Sequence, residues 1–342
     1  MSLTSYLAAP SRDLFVAPSG AGRETNGTAP VRKNFLISFS RMSTSSISNH
    51  PDTRSLRSAE WKLRAANHRQ RALRWVEPTR QRRTSGQPHP VDDFLFTYYP
   101  FSMRKLTQWH PGPGIAIEHY DSVPDWLTRQ PYQTLDGWTL LNPASLSAKQ
   151  IMRIKWIRDL LVATQNRPPY FGCHGLHEWA MVYGGEQVRH RETCPLRLPQ
   201  AEIDQVVKSR PICCSHFDAF RFFQPKARPL NRMQPDMDSR MANEQPGCLH
   251  VGMDLYKWAS KSMPWVSSEL QLSCFELAVE LRSLDMRASP YDLSEYDLEP
   301  VKIETSDGRR LYETEQRRLT DLAGPLRQSL IGELSQTVQA LQ

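Results

Sequence analysis

Long stretches in which apolar residues recur every three or four positions constrain the fold of this chain more than any other feature. In residues 147–166 the apolar positions include Ile151, Ile154 and Ile157, and Pro168 follows the stretch. Residues at this spacing share one face of a helix, and a helix usually ends before a proline. The pattern therefore predicts an amphipathic helix over 147–166.

Residues 267–288 repeat this spacing most regularly and predict a second long helix. Similar patterns predict helices at 59–75, 176–183, 201–208, 252–263 and 316–341. The β predictions are short strands at 115–119 and 138–141, a buried strand or groove wall at 94–101, and an extended piece with an Asp307-Gly308 turn at 301–312. We therefore expect a mainly α fold with a small β contribution and long irregular loops, in a single large domain.

The composition excludes several classes of protein. No apolar run approaches the roughly 20 residues of a membrane-spanning helix, so no membrane partner is expected. The sequence contains no repeat of fixed period, and a solenoid or a propeller would need one. With 39% hydrophobic and 23% charged residues, the chain as a whole differs from disordered proteins.

Positive charge is concentrated at the amino-terminal end. Residues 1–90 hold 15 Lys/Arg and 5 Asp/Glu, whereas the other residues hold 28 and 31. Residues 1–58 are rich in Ser, Thr, Pro, Gly and Asn, which predicts a disordered extension. Part of it is an upstream extension if translation begins at Met42, and its Arg-rich, acid-poor composition also fits a transit peptide.

Residues 59–90 are predicted to form a basic helix and a turn, ahead of a mainly helical catalytic domain at 91–342. Eight Lys/Arg lie between Lys62 and Arg83, and a basic helix can follow the phosphates of a nucleic acid. The alternative is a solvated helix that packs against the domain through its tryptophans.

Residue types that carry chemistry are concentrated in the segments 171–183, 213–223 and 244–258, which hold four of the ten histidines and four of the six cysteines. Each segment places a carboxylate one to four residues after a histidine. The pairs, which we take as the candidate catalytic groups, are His177 with Glu178, His216 with Asp218, and His250 with Asp254. They suit an acid/base set in which one group of each pair orients the other.

The same histidines are the candidate ligands if a metal ion is present. A zincin helix would need a second histidine at position 181, where Met181 stands, and the cysteines form no CxxC pairs. A site assembled from the separate segments through His177, His216 and His250 stays open, and zinc or iron would suit it. The sequence leaves the cofactor unknown.

Aromatic and basic residues beside these pairs form the candidate substrate-binding set. Aromatic side chains wall pockets for flat rings, and Arg or Lys binds phosphate or carboxylate. The set consists of Trp179, Tyr183, Tyr256, Trp258, Arg221 and Lys257. The alternative for most of the aromatic members is that they belong to the core.

The cysteine pattern bears on the compartment. Six cysteines at uneven spacing in 342 residues do not indicate a disulfide scaffold. A reducing interior fits better, and we therefore expect a cytoplasmic protein.

Several longer motifs resemble those of a bacterial, largely actinobacterial, family that carries the name 3-methyladenine DNA glycosylase. The motifs are FGCHGLHEWAMVY (171–183), CSHFDAFRFF (214–223), QPGCLHVGMDLYKWA (245–259), LDMRASPYDL (284–293), HPVDDFLFTYYPF (89–101) and WHPGPG (109–114). The resemblance covers roughly residues 59–335. It implies a cytoplasmic DNA-repair hydrolase that binds alkylated duplex DNA and cleaves the N-glycosidic bond of a purine without a cofactor.

Glycosylase chemistry needs a flipped, stacked base and a carboxylate near the sugar cation that develops. Asp254 or Asp218 would supply that carboxylate, with His250 or His216 orienting it, and Glu178 is the third candidate. The alternative function is a metal-dependent hydrolase or oxygenase that acts on a small molecule through a His/Asp/Glu site. A non-catalytic nucleic-acid-binding module that uses the basic helix is a third class.

Overall fold

The computed structural model of this protein describes residues 53–119, 123–185 and 194–341, and these parts of the chain are mainly helical. Their helices are α1 (Ser58–Ser85), α2 (Phe94–Tyr98), α3 (Met103–Leu106), α4 (Ala148–Gln165), α5 (Leu176–Met181), α6 (Gln200–Lys208), α7 (Phe217–Phe220), α8 (Arg240–Asn243), α9 (Leu249–Ser262), α10 (Ser268–Arg287) and α11 (Ser306–Gln339). Short 3-10 turns lie at Asp125–Leu127, Pro143–Ser145, Arg228–Leu230 and Ser294–Tyr296. The mainly α, single-domain class expected from the sequence is confirmed.

The centre of the fold is formed by α10, which packs against α9 and α11, while α11 also packs against α4. Close approach of α9 and α10 depends on Gly252, since a Cβ at this position would lie 2.7 Å from a methyl carbon of Leu281. This contact matters for the site described below, because α9 and α10 both contribute polar side chains to it.

Helices α4 and α10 lie where their apolar periodicity placed them, whereas α1 continues to Ser85 beyond the predicted 59–75 and α11 begins at Ser306, ahead of the predicted 316–341. Helix α4 begins after Ser147, whose hydroxyl accepts the backbone N–H of Gln150, and the Gln150 side chain accepts the backbone N–H of Ser147. Helix α10 begins after Ser267, whose backbone N–H and hydroxyl both donate to the carboxylate of Glu333 on α11. This contact ties the beginning of α10 to the carboxyl-terminal part of α11.

The small sheet has the strand order β1 (Arg54–Leu56), β2 (Ile115–Glu118), β4 (Trp138–Leu141) and β3 (Tyr132–Leu135). Strands β1 and β2 are parallel, and the other two pairings are antiparallel. A two-residue turn joins β3 to β4 with φ of 49° at Asp136 and 80° at Gly137, the left-handed pair that such a hairpin requires. The two strands predicted near 115–119 and 138–141 are thus confirmed.

Two predictions for extended structure are wrong. In the aromatic run 94–101, Phe94–Tyr98 form the short helix α2 rather than a strand. A short buried helix and a buried strand have the same unbroken apolar sequence, so the pattern did not distinguish them. Asp307 and Gly308 lie in the first turn of α11, where the Thr305 hydroxyl accepts the Gly308 backbone N–H. Capping by Thr305 therefore begins a helix where the sequence suggested a turn.

The amino-terminal boundary also differs from the prediction. Leu56 of β1 is fully buried, and α1 begins at Ser58 and continues to Ser85, so residues 53–58 belong to the folded domain. Residues 1–52, with Met42 and most of the predicted disordered extension, lie outside the described residues.

Helix α1 is bound to the domain through part of its positive charge and through buried side chains. Arg64 pairs with Glu269 at 2.9 Å, and Arg71 pairs with Glu276, both on α10. Trp61 is 2% exposed and stacks on Trp109. The basic helix is therefore packed against the body, while Lys62, Arg69 and Arg74 remain on its exposed surface.

One buried and one partly buried histidine make the fold sensitive to acid. His68 on α1 contacts the carbonyl of Leu106, and His110 contacts the hydroxyl of Tyr132. Burial lowers the pKa of His110 to about 4 and lowers the pKa of His68 below its ordinary value. Both rings are therefore neutral in the folded protein, whereas they bind protons near pH 6.5 in the unfolded chain.

The resulting contribution to stability is present above about pH 6.5 and is lost as the pH falls towards 4. We expect the free energy of unfolding in urea to fall by about 2 kcal/mol or more between about pH 7 and pH 4.5. His110→Asn should lose less stability than the wild type over this interval. An equal loss in both proteins would contradict the assignment to His110.

Candidate active site

The three histidine-bearing segments meet in the interior of the domain. His177 lies in α5, His216 immediately precedes α7, and His250 lies in the first turn of α9. The ring centroids of His177 and His250 are 4.6 Å apart, and those of His216 and His250 are 5.4 Å apart. His250 therefore lies between the other two rings and connects two polar clusters, which we call the thiol cluster and the lysine cluster.

The thiol cluster is a chain of contacts around His177. The Sγ atom of Cys173 lies 3.3 Å from His177 Nδ1, and Nε2 of the same ring lies 2.6 Å from Asp285 Oδ1. Arg282, one turn before Asp285 on α10, donates to Asp285 Oδ2 at 2.8 Å and to Glu178 Oε1 at 3.0 Å. Both oxygens of the Asp285 carboxylate are thus occupied.

Local backbone geometry holds Cys173 next to this ring. His174 and Gly175 both have left-handed φ values, 46° and 76°, and form a sharp turn before α5. A Cβ at position 175 would lie 3.2 Å from the Cβ of Ala288, at the carboxyl-terminal end of α10. Glycine therefore lets α5 approach the end of the helix that carries Asp285.

The lysine cluster surrounds Lys257 on α9. Its ammonium donates at 2.8 Å to both Asp218 and Asp254, and Arg240 also pairs with Asp218. Asp254 additionally accepts from the hydroxyl of Tyr99 at 2.9 Å and lies 3.2 Å from His216 Nε2. Each of these side chains is less than 10% exposed. This is a buried ion network in which every charged group has an opposite partner.

The pKa values of the two histidines that line the pocket, His177 and His250, are shifted in opposite directions. Burial acts to lower the pKa of His177, but the Asp285 carboxylate and the Cys173 thiol raise it well above its ordinary value. Burial lowers the pKa of His250 to about 3. The first ring therefore favours the imidazolium form and the second the neutral form, which is the division expected of groups with different acid/base roles.

Opposite charges also keep three buried carboxylates ionised. Burial opposes ionisation of Asp254 and Asp218, but Lys257 holds the pKa of both well below the ordinary range. His177 does the same for Asp285. Burial raises the pKa of Glu244, whose Oε1 has no hydrogen-bond partner in the described part of the protein. Glu244 is thus the least satisfied acid of the site.

A small pocket with room for about one water molecule opens onto the thiol cluster. Its walls include Cys173, His177 and His250, together with the cysteines Cys213, Cys214 and Cys248. The buried hydroxyl of Tyr312 and the Oε1 atom of Gln316 also belong to residues that line it, and neither atom has a partner among the described residues. Unpaired buried polar atoms at a pocket indicate a site for a small polar ligand.

The structure brings all six predicted catalytic side chains into the two clusters, but not in the predicted pairs. His177 contacts Asp285 rather than Glu178, which binds Arg282. His216 contacts Asp254 rather than Asp218, and the carboxylate nearest His250 is Asp285, at 4.0 Å. Adjacent residues such as His177 and Glu178 point to different sides of a helix, and tertiary packing supplies each histidine with an acid from another element.

The predicted substrate-binding aromatic residues are mostly core. Trp179, Tyr256 and Trp258 are each at most 1% exposed, and Trp179 donates to the carbonyl of Ala288. Tyr183 is partly buried and lies under the ammonium of Lys208. None of these four lines the described pocket.

Of the two predicted basic residues of that set, Lys257 lies inside the lysine cluster. The side chain of Arg221 is 24% exposed and lies 3.7 Å from Asp218. Neither basic residue lines the described pocket.

Several functional candidates were not singled out from the sequence. Cys173 lies four residues before His177, a spacing that can bring a thiol near an imidazole, and this was the available signal. Asp285 and Arg282 belong to α10, which is buried around most of its circumference, and nothing in their spacing connects them to residue 177. Likewise, nothing in the sequence spacing of Arg240 and Glu244 marked them as part of the site.

Two sets of three side chains have ligand atoms within 4.8 Å of one another among the described residues: His177, His250 and Asp285, and His216, Glu244 and Asp254. In the first set both Asp285 oxygens already receive hydrogen bonds. In the second set Lys257 lies 2.8 Å from the same Asp254 oxygen that faces His216. A metal ion in either set would have to displace a cationic group that already binds the aspartate, or lie close to it.

No helix in the described parts of the chain is long and apolar enough to cross a membrane. No family model, curated protein or solved structure matches the chain.

Proposed function

We propose that the protein is a hydrolase that uses Cys173 as a nucleophile on a small acyl substrate. The observation that carries the proposal is the contact chain from Cys173 through His177 to Asp285 at the wall of a pocket. A nucleophile within reach of a base, with the base oriented by a third group, is the arrangement of covalent hydrolases. Arg282 fixes the third group by binding the other oxygen of Asp285.

Each member of the chain has a defined task in this chemistry. In the reactive form the proton of the thiol lies on His177 Nδ1, in keeping with the preference of this ring for the imidazolium form, and the Cys173 thiolate attacks the carbonyl carbon of the substrate. Asp285 stabilises the imidazolium through Nε2 and fixes its orientation. The leaving group departs with the proton from His177, which leaves a thioester on Cys173. Water then cleaves that thioester to the acid and restores the thiol.

The pocket favours a small, polar acyl group. It holds about one water molecule as described, and the unpaired Tyr312 hydroxyl is available to donate to a carbonyl oxygen on which charge develops. Esters, thioesters or amides of short acids are therefore the expected substrate class.

The proposal is tested with p-nitrophenyl acetate and the full chain. We expect a burst of nitrophenolate close to one equivalent and an acetyl group on the peptide that contains Cys173. Cys173→Ala should abolish both, whereas Cys274→Ala, which changes a buried cysteine of α10 that does not line the pocket, should keep them. Acetylation elsewhere, or an unchanged burst in Cys173→Ala, would overturn the proposal.

A metal-dependent hydrolase or oxygenase acting on a small molecule is the second candidate. The observation that favours it is the convergence of His177, His250 and Asp285 within 4.8 Å. This candidate predicts a stoichiometric metal ion in the purified protein that is lost in His250→Ala, together with activity that chelator removes. The thiol proposal instead predicts acetylation that is insensitive to chelator.

Release of alkylated purines from DNA is the third candidate, and it rests on the motif resemblance. The exposed cations Lys62, Arg69 and Arg74 of α1 would suit phosphates. Asp254 is ionised, as a carboxylate near a sugar cation must be, although it is buried against Lys257. We expect base release from methylated duplex DNA above the spontaneous rate, reduced in Asp254→Asn. No release by the folded full chain would exclude this candidate.

A further inference from the structure

His250 differs from the other two histidines of the site because no hydrogen bond from the described protein holds its ring. His177 contacts Cys173 and Asp285, and His216 contacts Asp254. For His250 the nearest carboxylate contact is Asp285 Oδ2 at 4.0 Å from Nε2, which is beyond hydrogen-bond distance. Its ring nitrogens are therefore available to a molecule in the pocket.

The location of His250 fits such a contact. Its side chain is 18% exposed, compared with 4% for His177 and 1% for His216. It lines the same pocket as Cys173, with its ring edge-to-face against that of His177. The preceding loop is fixed by Gln316, which donates to the carbonyl of Gly247 at 2.6 Å. The ring is thus held at the pocket by its backbone and remains open on its polar side.

We propose that His250 is the general base that activates water to hydrolyse the acyl-Cys173 intermediate. The inference rests on the proposed function, because it needs a thioester at Cys173. His177 Nε2 is committed to Asp285 and Nδ1 faces the sulfur, so His177 is placed to serve the thiol rather than a water. His250 accepts a proton from water, the water oxygen bonds to the acyl carbon, and the carbon–sulfur bond breaks. The proton then passes to the departing thiolate, giving the acid and the free thiol.

The test measures acylation and deacylation separately with p-nitrophenyl acetate. In His250→Gln we expect a burst as large as in the wild type, followed by a steady state slower by about 100-fold. Acetyl-Cys173 should accumulate in the mass spectrum of the intact protein. His119→Gln, at a ring that contacts Thr139 beside the sheet, is the matched control and should turn over normally.

The outcomes separate this inference from the function on which it rests. A wild-type protein with no burst overturns both. A normal burst with unchanged steady-state turnover in His250→Gln overturns the role of His250 alone, as does loss of the burst itself in a folded variant. If His250→Gln does not fold, His250→Asn and the steady-state rate of the wild type in D2O replace it. General-base catalysis requires a slower rate in D2O, and an unchanged rate would overturn the inference.

Discussion

Asp285→Asn should slow acetylation of Cys173 by about 10³-fold or more, although it leaves both the thiol and the imidazole in place. The asparagine has nearly the same shape and still offers an oxygen to His177 Nε2, which lies 2.6 Å from the carboxylate. It removes the negative charge that stabilises the imidazolium. Burial acts to lower the pKa of His177, and the Asp285 carboxylate is the main group that raises it. The measurement is the burst rate with p-nitrophenyl acetate.

A matched control separates lost chemistry from lost stability. Asp93 is also a buried aspartate bound by an arginine, Arg82 at 2.5 Å, but it belongs to the loop after α1. Asp93→Asn should weaken folding without changing the burst rate of the folded fraction. An equal effect of the two substitutions on that rate would mean that Asp285 stabilises the domain and has no role in the thiol chemistry.

The helices were largely predictable because burial of one face leaves a periodic record in the sequence. Residues 147–166 show that record over several turns, and α4 lies within this range. Residues 267–288 also carry regularly spaced leucines, although α10, which lies within this range, is buried on most of its surface. The run 94–101 carries no such record, because short buried helices and buried strands are both continuously apolar. The helix start at Thr305 could not be separated from a turn, since the same residue types favour both.

The sequence predicted which residues belong to the site better than it predicted which of them contact one another. Local clustering of histidine, cysteine and carboxylate marked the segments that contain His177, His216 and His250. Their partners are set by tertiary packing: Asp285 reaches His177 across 108 residues and Lys257 reaches Asp218 across 39. Sequence spacing records neighbours along one element, and it carries no information about which elements pack together.

Lys257→Met should destabilise the fold by about 3–5 kcal/mol, the expected cost of leaving a buried charge without its partner. The ammonium lies 2.8 Å from both Asp218 and Asp254, and these three residues are at most 6% exposed. Methionine fills a similar volume, so the loss reports charge rather than a cavity. Urea unfolding of the variant and of Lys155→Met, at an exposed position of α4, measures the difference.

If Lys257 stabilises the fold through its charge, two further results are expected for the same variant. Asp254→Asn added to Lys257→Met should recover part of the lost stability, because Asp218 keeps its pairing with Arg240, whereas Asp254 is the acid left without the lysine. The deficit of Lys257→Met should also narrow as the pH falls from about 7 to 5. In the wild type the lysine holds the pKa of both aspartates low, so they stay ionised over this range. In the variant burial favours the protonated acid, so folding gains stability as protons bind. A deficit that does not change with pH, and no recovery in the double variant, would show that Lys257 contributes packing rather than charge.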